Sequence, residues 1–464
     1  MRSKAILTPG IVLLTALSLL AVKPSWADLV SADMAYHKGD YKSAFAQYKD
    51  MAELGQPTAQ FNLAVMYARG QGVMQSFTLA QSWASVAAAN GVAPAKALAA
   101  DLRPQLTPNS LLLSSQIQAQ YSQSTLAARL FPQFLQGKEY AGIDPAMRLK
   151  AYVPDYPVDA QVQGIQGQVY VEFIVAQDGH ARIPHILFAL PPGYFETTVI
   201  NSVLRSDFLP ARREGQPIAT STSMMYNFTM RGTSIYDYGD LASRVRKTKK
   251  EAETGDPGAE MLYGMMLAGL PQLKKTYDQA LPWFLKAAQA GVPYAQYQVG
   301  MGLLKGHGCL CDPGKGQIWL EKAAQAGQPD AEVGLAEYLL QDHPPEHAVT
   351  AAITWLDRAV SQGNIYGKLR LAAILASNPS ADVRDPDRAL TLADQAKREY
   401  SHDPSLWEII AAANASRGNY KAAVRDEAHA IALAKRLRWD LTALRQRESR
   451  YASGSAWTGN LLAF

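Results

Sequence analysis

Small and aromatic apolar residues recur along much of the chain at a fixed interval. The sequence KAAQAG occupies residues 286–291 and again residues 322–327, a spacing of 322 − 286 = 36 residues. The residues on this spacing are Gly255, Gly291, Gly327 and Gly363, with Gly55 and Gly91 further upstream, and Trp83, Trp283, Trp319 and Trp355, each eight residues before its glycine. A period between about 20 and about 50 residues is typical of stacked repeats, in which neighbouring units bury one another's apolar faces.

Each repeat unit is predicted to be a pair of helices. Its windows are rich in alanine, and the closing glycine is a common C-terminal helix signal because glycine accepts positive φ. Small residues also recur earlier in the unit, at Ala59, Ala259, Ala295 and Ala331 and at Ala64, Gly264, Gly300 and Ala336. These residues predict close helix approach, with each tryptophan filling the groove between units. The four tryptophans are therefore expected in the core rather than on a ligand-binding face.

Residues 150–232 lose this spacing and alternate between apolar and other side chains. Val169, Val171, Phe173 and Val175 lie on one side of a predicted strand, and Asp178-Gly179 is a turn signal. Residues 183–188 form the predicted returning strand, residues 193–208 have helical spacing, and residues 224–230 alternate again. The order strand, strand, helix, strand predicts an antiparallel sheet with a helix on one face.

The repeat units resemble the Sel-like repeat family, a relative of the tetratricopeptide repeats. The matching residues are Ala59, Leu63, Ala64, Tyr67, the GQGV of residues 70–73, Ala80, Trp83, Ala87, Ala88 and Gly91. Repeats are expected within residues 28–100 and 240–400, the last of them imperfect, with a helical linker at 101–149. Residues 401–464 resemble a tetratricopeptide unit followed by a basic C-terminal helix. The expected fold is mainly α, an α-solenoid of helix-turn-helix repeats of about 36 residues flanking a small α+β domain.

The α+β stretch is similar to the C-terminal domain of TonB. The matching residues are Tyr156-Pro157, Ala160, Gly164, Gly167, the strand alternation, Asp178-Gly179, Phe195-Glu196, Phe208, Pro210-Ala211, Gly215, Pro217 and the Tyr226/Phe228 strand. In that family the domain binds an extended peptide of an outer-membrane receptor by strand addition. The resemblance implies peptide-binding positions at Val153, Asp155, Tyr156, Ser223, Met224, Tyr226, Phe228 and Met230. An exposed strand edge is physically suited to this role because its backbone N–H and C=O groups can pair with another chain.

Residues 1–27 have the pattern of a secretory signal peptide. Arg2 and Lys4 precede an apolar run from Ala5 to Val22, and SWA at residues 25–27 offers a cleavage site. An uncleaved anchor remains the alternative, since the run is close to the length that spans a bilayer. A TonB-type energy transducer would need that anchor, yet the run contains no histidine and no long proline-rich spacer follows it.

Removing the signal changes the charge balance. The segment carries three basic residues and no acid, so Lys+Arg falls to 45 − 3 = 42 against 41 Asp+Glu. A nearly neutral exported protein gives no reason to expect a nucleic-acid partner. No later stretch is apolar for long enough to predict an integral membrane span after cleavage.

The two cysteines, Cys309 and Cys311, lie in the loop between the helices of one repeat. Three interpretations remain open. Cys309 can be a small packed residue, the pair can form a short and reactive disulfide, or His307, Cys309, Cys311 and Asp312 can hold a metal. The first is favoured, so neither a metal nor another cofactor is expected.

Catalytic motifs such as H-E-x-x-H and G-x-S-x-G are absent from the sequence. Gln60, Tyr294, Gln298 and Glu332 are predicted to face solvent on the first helices of their repeats and to form a binding surface. The sequence therefore favours a non-enzymatic periplasmic scaffold that binds proteins or peptides of the cell envelope, with outer-membrane transporters among the candidate partners. A TonB-type energy transducer and a cell-wall enzyme with a repeat docking arm are the alternatives.

Overall fold

The computed structural model describes residues 29–134, 143–144, 146–213, 215–229, 232–233, 238–270, 273, 277–341 and 344–462. The predicted signal peptide and Met230 lie outside these ranges. Two compact units are present, one of residues 1–134, 243–264 and 278–328 and the other of residues 135–242, 265–277 and 329–464. Among the described residues, every helix is too short or too polar to cross a bilayer.

Helices dominate both ends of the chain. The first group is α1 (Leu29–His37), α2 (Tyr41–Glu53), α3 (Pro57–Arg69), α4 (Phe77–Ala89), α5 (Ala93–Leu102), α6 (Pro108–Gln120) and α7 (Gln123–Arg129). A short strand β1 (Ile143–Asp144) and a second strand β2 (Met147–Lys150) then lead into α8 (Val158–Val162).

The α+β domain continues with strands β3 (Gly167–Val175) and β4 (Ala181–Leu190), helix α9 (Glu196–Arg205), and strands β5 (Asp207–Leu209), β6 (Ala211–Arg213), β7 (Gln216–Ile218), β8 (Thr220–Thr229) and β9 (Gly232–Thr233). The helices after it are α10 (Tyr238–Glu253), α11 (Pro257–Gly269), α12 (Tyr277–Gln289), α13 (Pro293–Lys305), α14 (Pro313–Gln325), α15 (Pro329–Leu339), α16 (Glu346–Ser361), α17 (Ile365–Ser377), α18 (Pro386–Tyr400), α19 (Pro404–Ser416), α20 (Tyr420–Arg436) and α21 (Thr442–Ala452).

Local sequence signals explain where the repeat helices begin and end. Proline occupies the first helical turn of α3, α13, α14, α18 and α19, where its fixed φ suits the helix and its missing N–H costs nothing. The six glycines of the 36-residue spacing all have φ between 81° and 90°. A side chain would be strained in that backbone conformation, so the predicted turn after each helix pair is confirmed.

Close helix packing at the small positions is also confirmed. A Cβ atom added to Gly300 on α13 would lie 2.9 Å from Leu320 Cγ on α14. One added to Gly264 would lie 2.8 Å from the Phe284 ring. The backbones of paired helices can approach this closely only because these residues have no side chain.

The tryptophans divide into two classes. Trp83 and Trp319 are buried as predicted, and the Trp319 indole N–H donates to the carbonyl of Leu130 at 2.7 Å. Trp283 and Trp355 are only half-buried, with Lys286 Nζ 4.3 Å and Arg358 Cζ 4.6 Å from their respective ring centres. The core prediction is therefore complete for two tryptophans and partial for the others.

The first unit joins the N-terminal helices to repeats that lie far along the chain. Besides the Trp319 contact, the Lys315 ammonium donates to the carbonyls of Ala127 and Phe131, each at 3.1 Å. The Gln289 amide donates to Leu54 at 3.2 Å. These hydrogen bonds satisfy carbonyl groups at helix ends that have no partner within their own helix.

In the α+β domain, the main sheet has the antiparallel order β4-β3-β8-β9. Val169, Val171 and Phe173 pack with α9 in a core with Phe195, and the order of elements matches the sequence prediction. The prediction of a helix on one face is incomplete, because Tyr170 on the opposite face is also buried and lies against Gly269 at the end of α11.

Within the second unit, the α+β domain shares a hydrophobic core with the C-terminal helices. Ile183 of β4 and Ile200 and Leu204 of α9 are buried in the same cluster as residues of α15 to α20. The Tyr400 hydroxyl donates to the carbonyl of Pro184 at 2.6 Å. His185 Nε2 lies 2.7 Å from Asp330 Oδ1, and both side chains are buried. The α+β domain is thus packed against these helices through both apolar and polar contacts.

Candidate functional site

Residues 152–158, which contain three of the predicted peptide-binding positions, form an irregular segment held along α9. Three hydroxyls on one stripe of α9 hold its backbone. Ser206 Oγ accepts from the Tyr152 N–H at 3.0 Å, Ser202 Oγ donates to the Tyr152 carbonyl at 2.5 Å, and Thr198 Oγ1 donates to the Asp155 carbonyl at 2.9 Å. Hydroxyls four residues apart share one helix face, so α9 and Ser206 just after it fix the course of residues 152–157, which form neither helix nor strand.

The same segment presents apolar side chains to solvent. Val153 is 51% exposed and Val158 is 71% exposed, and Leu149 and Val162 beside them are also exposed. Within the described residues, the backbone N–H and C=O of Val153 have no hydrogen-bond partner. A backbone held outside helix and strand, with open hydrogen-bonding groups and exposed valines beside it, is able to pair with an extended chain.

A groove of about 740 Å³ lies beside this segment. We call it the α9–α20 groove, because residues 152–158 and α9 form one side and Leu433, Arg436 and Leu437 form the other, with Tyr194 and His402 also lining it. The volume lies within the range of sites that hold small ligands or a few residues of peptide. No sequence pattern indicates the contribution from α20, which is more than 200 residues away along the chain.

Tyr156 has a structural role that the sequence prediction did not include. Its hydroxyl donates to the Ile165 carbonyl at 2.5 Å, and its ring packs edge-on against Phe195 and Phe228 at centroid distances of 5.7 and 5.8 Å. Asp155 is exposed and lines the groove. Of the three predicted residues in the segment, Val153 and Asp155 are therefore the more accessible.

The predicted positions on β8 face inward. Met224, Tyr226 and Phe228 are buried, and Phe228 stacks on Phe195 with ring centres 4.2 Å apart. Ser223 is half-buried, and its hydroxyl hydrogen-bonds to the Tyr170 hydroxyl at 2.8 Å. Phe228 and its neighbour Thr229 already pair with β9, so a peptide added at that point would have to displace β9. The side chains of β8 belong to the core, and only its backbone is suited to the predicted contact.

Two family models match the chain. The model of the Gram-negative bacterial TonB protein C-terminal matches residues 152–230, and the Sel1 repeat model matches residues 57–92, 257–292, 293–328 and 329–364. The chain contains four Sel1 repeats and one TonB C-terminal domain. The imperfect repeat expected before residue 400 lies outside the matched residues, and α17 and α18 form a helix pair there.

Solved structures of repeat proteins are also similar. A Sel1 repeat protein from Oxalobacter formigenes is 17% identical over 80% of this chain and 98% of its own, with a TM-score of 0.31. A protective antigen with an SLR fold from uropathogenic Escherichia coli strains is 17% identical over 92% of this chain and 72% of its own, with a TM-score of 0.35. No curated protein matched the sequence.

The predicted solvent-facing surface of the Sel1 repeats is wrong for three of its four residues. Gln60, Gln298 and Glu332 are buried, and only Tyr294 is partly exposed. The Gln60 amide donates to the Ala52 carbonyl at 3.1 Å and accepts from Asn90 at 2.7 Å. Gln298 donates to the Tyr294 hydroxyl at 2.7 Å. Gln60 joins neighbouring helices and Gln298 bonds within α13, so these buried side chains offer no docking surface in this conformation.

Glu332 occupies the same repeat position as Gln60. It accepts from the Gln362 amide at 2.8 Å and pairs with Arg358 at 3.0 Å. Burial raises the pKa of Glu332 to about 7, although Arg358 opposes the shift. Its carboxyl group is therefore part of the packing between helices rather than of an exposed binding site.

The cysteines are free thiols in the structure, so the disulfide alternative is not met. Cys309 is buried and its thiol donates to the Gly302 carbonyl at 3.5 Å, while the exposed Cys311 thiol donates to Leu304 at 3.3 Å. Burial raises the pKa of Cys309 to about 12. The described residues contain no group of three His, Cys, Asp or Glu side chains arranged for a metal. The packed interpretation of Cys309 agrees with these contacts.

Proposed function

We propose that this protein is a non-enzymatic scaffold of the Gram-negative periplasm, and that its TonB C-terminal domain binds an extended peptide along residues 152–158. Sel1 and tetratricopeptide-like repeats support a protein-interaction scaffold, and the TonB C-terminal domain supports an association with the cell envelope. The observation that carries the peptide-binding proposal is the exposed segment around Val153, which lies beside the α9–α20 groove.

The α9 hydroxyls make the segment a suitable template. They hold the carbonyls of Tyr152 and Asp155 and the N–H of Tyr152, so the course of the segment is fixed before any ligand arrives. A preformed template lowers the entropy that binding must overcome. The open N–H and C=O of Val153 can then pair with the peptide backbone, as in strand addition.

The groove beside the segment can receive side chains of the bound peptide. Alternate residues of an extended chain point in opposite directions, so one set would contact the segment and the other would reach solvent or the groove. Tyr152, Tyr194 and Leu433 give the groove an aromatic and apolar lining. We propose envelope proteins, including outer-membrane transporters, as the source of such peptides.

Selection of a displayed random-peptide library for binding to the full-length protein tests this proposal. Peptides selected on the wild type are measured by fluorescence anisotropy against Val153→Pro, Val153→Ser and Val162→Ser. Val153→Pro removes the N–H donor, whereas Val153→Ser keeps it and loses only apolar contact. Val162→Ser is the matched control, because Val162 is an exposed valine that lies at the end of α8, outside residues 152–158.

Strand addition predicts that Val153→Pro weakens binding by about tenfold or more, and that Val153→Ser weakens it by about threefold. Val162→Ser should bind like the wild type. Failure to select any peptide above background would refute peptide binding by this protein. Equal binding by the folded Val153→Pro variant would place the peptide elsewhere.

A further inference from the structure

A second cavity of about 270 Å³ extends the α9–α20 groove. The two cavities share Tyr152, Arg205, Arg436 and Leu437. The second cavity adds Lys150 at the end of β2, Asp207 of β5 and Arg438 after α20. One continuous depression therefore runs from the exposed Val158 to a group of cationic side chains, which we call the cationic end.

Positive charge is in excess at the cationic end. Arg438 forms an ion pair with Asp207, the one acidic residue in the lining. Lys150 and Arg436 are exposed and form no ion pair with any described residue. Arg205 lies 3.6 Å from the centre of the Tyr152 ring, which orients its guanidinium without neutralising it. Three cationic groups thus remain available to an incoming anion.

Both parts of the second unit are required to build this end. Lys150 and Arg205 belong to the TonB C-terminal domain, whereas Arg436 lies at the end of α20, in the C-terminal helices. The shared core of Ile200 and Leu204 with those helices fixes α9 beside α20. A ligand with negative charge would therefore contact both parts at once.

We propose that the peptide bound along residues 152–158 is acidic at one end, and that its carboxylates bind Lys150, Arg205 and Arg436. This inference rests on the proposed peptide-binding function and adds the chemistry of the partner. Guanidinium groups bind carboxylates through paired N–H donors, and such charge-assisted hydrogen bonds are stronger than neutral ones. The adjoining apolar groove and the open Val153 backbone favour an acidic segment of protein over a free anion.

The test uses the same random-peptide library on full-length protein, with the double variant Lys150→Gln/Arg436→Gln and the control Lys435→Gln. Lys435 lies next to Arg436 on α20 and is exposed, but it does not line either cavity. The control removes a positive charge from the same helix turn without changing the cationic end. Bound peptides are sequenced, and one is resynthesised with its acidic residues changed to the corresponding amides.

We expect peptides selected on the wild type and on Lys435→Gln to be rich in Asp and Glu at one end, and those selected on the double variant to lose this enrichment. The amide peptide should bind the wild type about tenfold more weakly, and the loss should shrink as salt rises. Peptides without acidic enrichment, or acidic peptides that bind the double variant equally well, would overturn the inference while leaving peptide binding intact. Selection of no peptide at all would overturn both.

Discussion

At the scale of single residues, a buried polar side chain follows the turn glycine by five residues in four repeat units. Gln60 and Gln296 donate to the carbonyls of Ala52 and Ala288, at 3.1 and 3.2 Å, near the end of the preceding helix. Carbonyls at a helix C-terminus lack a partner within the helix, so a buried amide in this position satisfies them. Glu260 and Glu332 occupy the same position in the other two units.

A carboxylate cannot donate this hydrogen bond, and its charge is costly to bury. Burial raises the pKa of Glu260 from 4.5 to about 7, while Lys286 acts in the opposite direction. Between these two values the folded protein retains a proton that the unfolded chain has released. The contribution of Glu260 to the free energy of unfolding therefore falls as the pH rises from about 4.5 to about 7.

We predict that Glu260→Gln stabilises the protein by about 1–3 kcal/mol above pH 7 and has little effect near pH 4.5. The introduced amide can donate to the Ala252 carbonyl, eight residues earlier, as Gln60 does to Ala52. Urea denaturation of wild type and variant at about pH 5 and about pH 8 measures the difference. Glu251→Gln, on the exposed face of α10, is the control and should show no such pH dependence. An equal change in the free energy of unfolding at both pH values would contradict the attribution of the effect to the Glu260 carboxyl group.

The 36-residue spacing predicts some buried residues fully and others in part, because Trp283 and Trp355 lie on it and are only half-buried. The buried Trp83 and Trp319 and the turn glycines follow the 36-residue spacing and were predicted from it. Gln60 and Glu332 lie on the same spacing, but a polar side chain alone predicts exposure, and both are buried. A polar residue that recurs at the same position of several repeats indicates a buried hydrogen bond, because the residue type at a solvent-facing position is free to vary between repeats.

At the scale of helices, the repeat pair depends on residues without side chains. Gly300 brings α13 close to Leu320 on α14, and Gly264 does the same for the Phe284 ring. Larger residues at these points would force the helices apart and open gaps around the buried tryptophan and alanines.

We predict that Gly300→Leu lowers the free energy of unfolding by about 3 kcal/mol or more, because the new side chain has no space beside Leu320. Thermal unfolding followed by circular dichroism measures the loss. Gly314→Ala on α14 is the control, since its Cβ would lie 3.6 Å from Asp312 and meet nothing closer. That change should be neutral or stabilising by up to about 1 kcal/mol. A Gly300→Leu protein as stable as the wild type would show that close packing is not needed.

The elements themselves were largely predictable, whereas their partners were not. Alanine-rich windows, glycine at helix ends and strand alternation predicted the repeat helices and the order β3, β4, α9, β8. Periodicity does not reveal which distant segments touch. No sequence pattern indicates that Ile183, Ile200 and Leu204 pack on α15 to α20, or that Arg436 lines a cavity with Arg205.

At the scale of the whole molecule, the proposed function depends on where the protein resides. A periplasmic scaffold requires removal of residues 1–27, whereas an energy transducer requires their retention in the inner membrane. We predict that the protein recovered from a fractionated host lies in the soluble periplasm with an intact mass that begins at Asp28. A full-length mass in the inner-membrane fraction would favour the transducer.

The core shared by the TonB C-terminal domain and α15 to α20 has a consequence for inheritance. Recombination that moved the domain alone would leave Ile183, Ile200 and Leu204 facing water and would separate Tyr400 from Pro184. Such a product would expose an apolar patch and tend to aggregate. We therefore expect the domain and the C-terminal repeats to have been passed between genes as one cassette, with substitutions on one side matched by substitutions on the other.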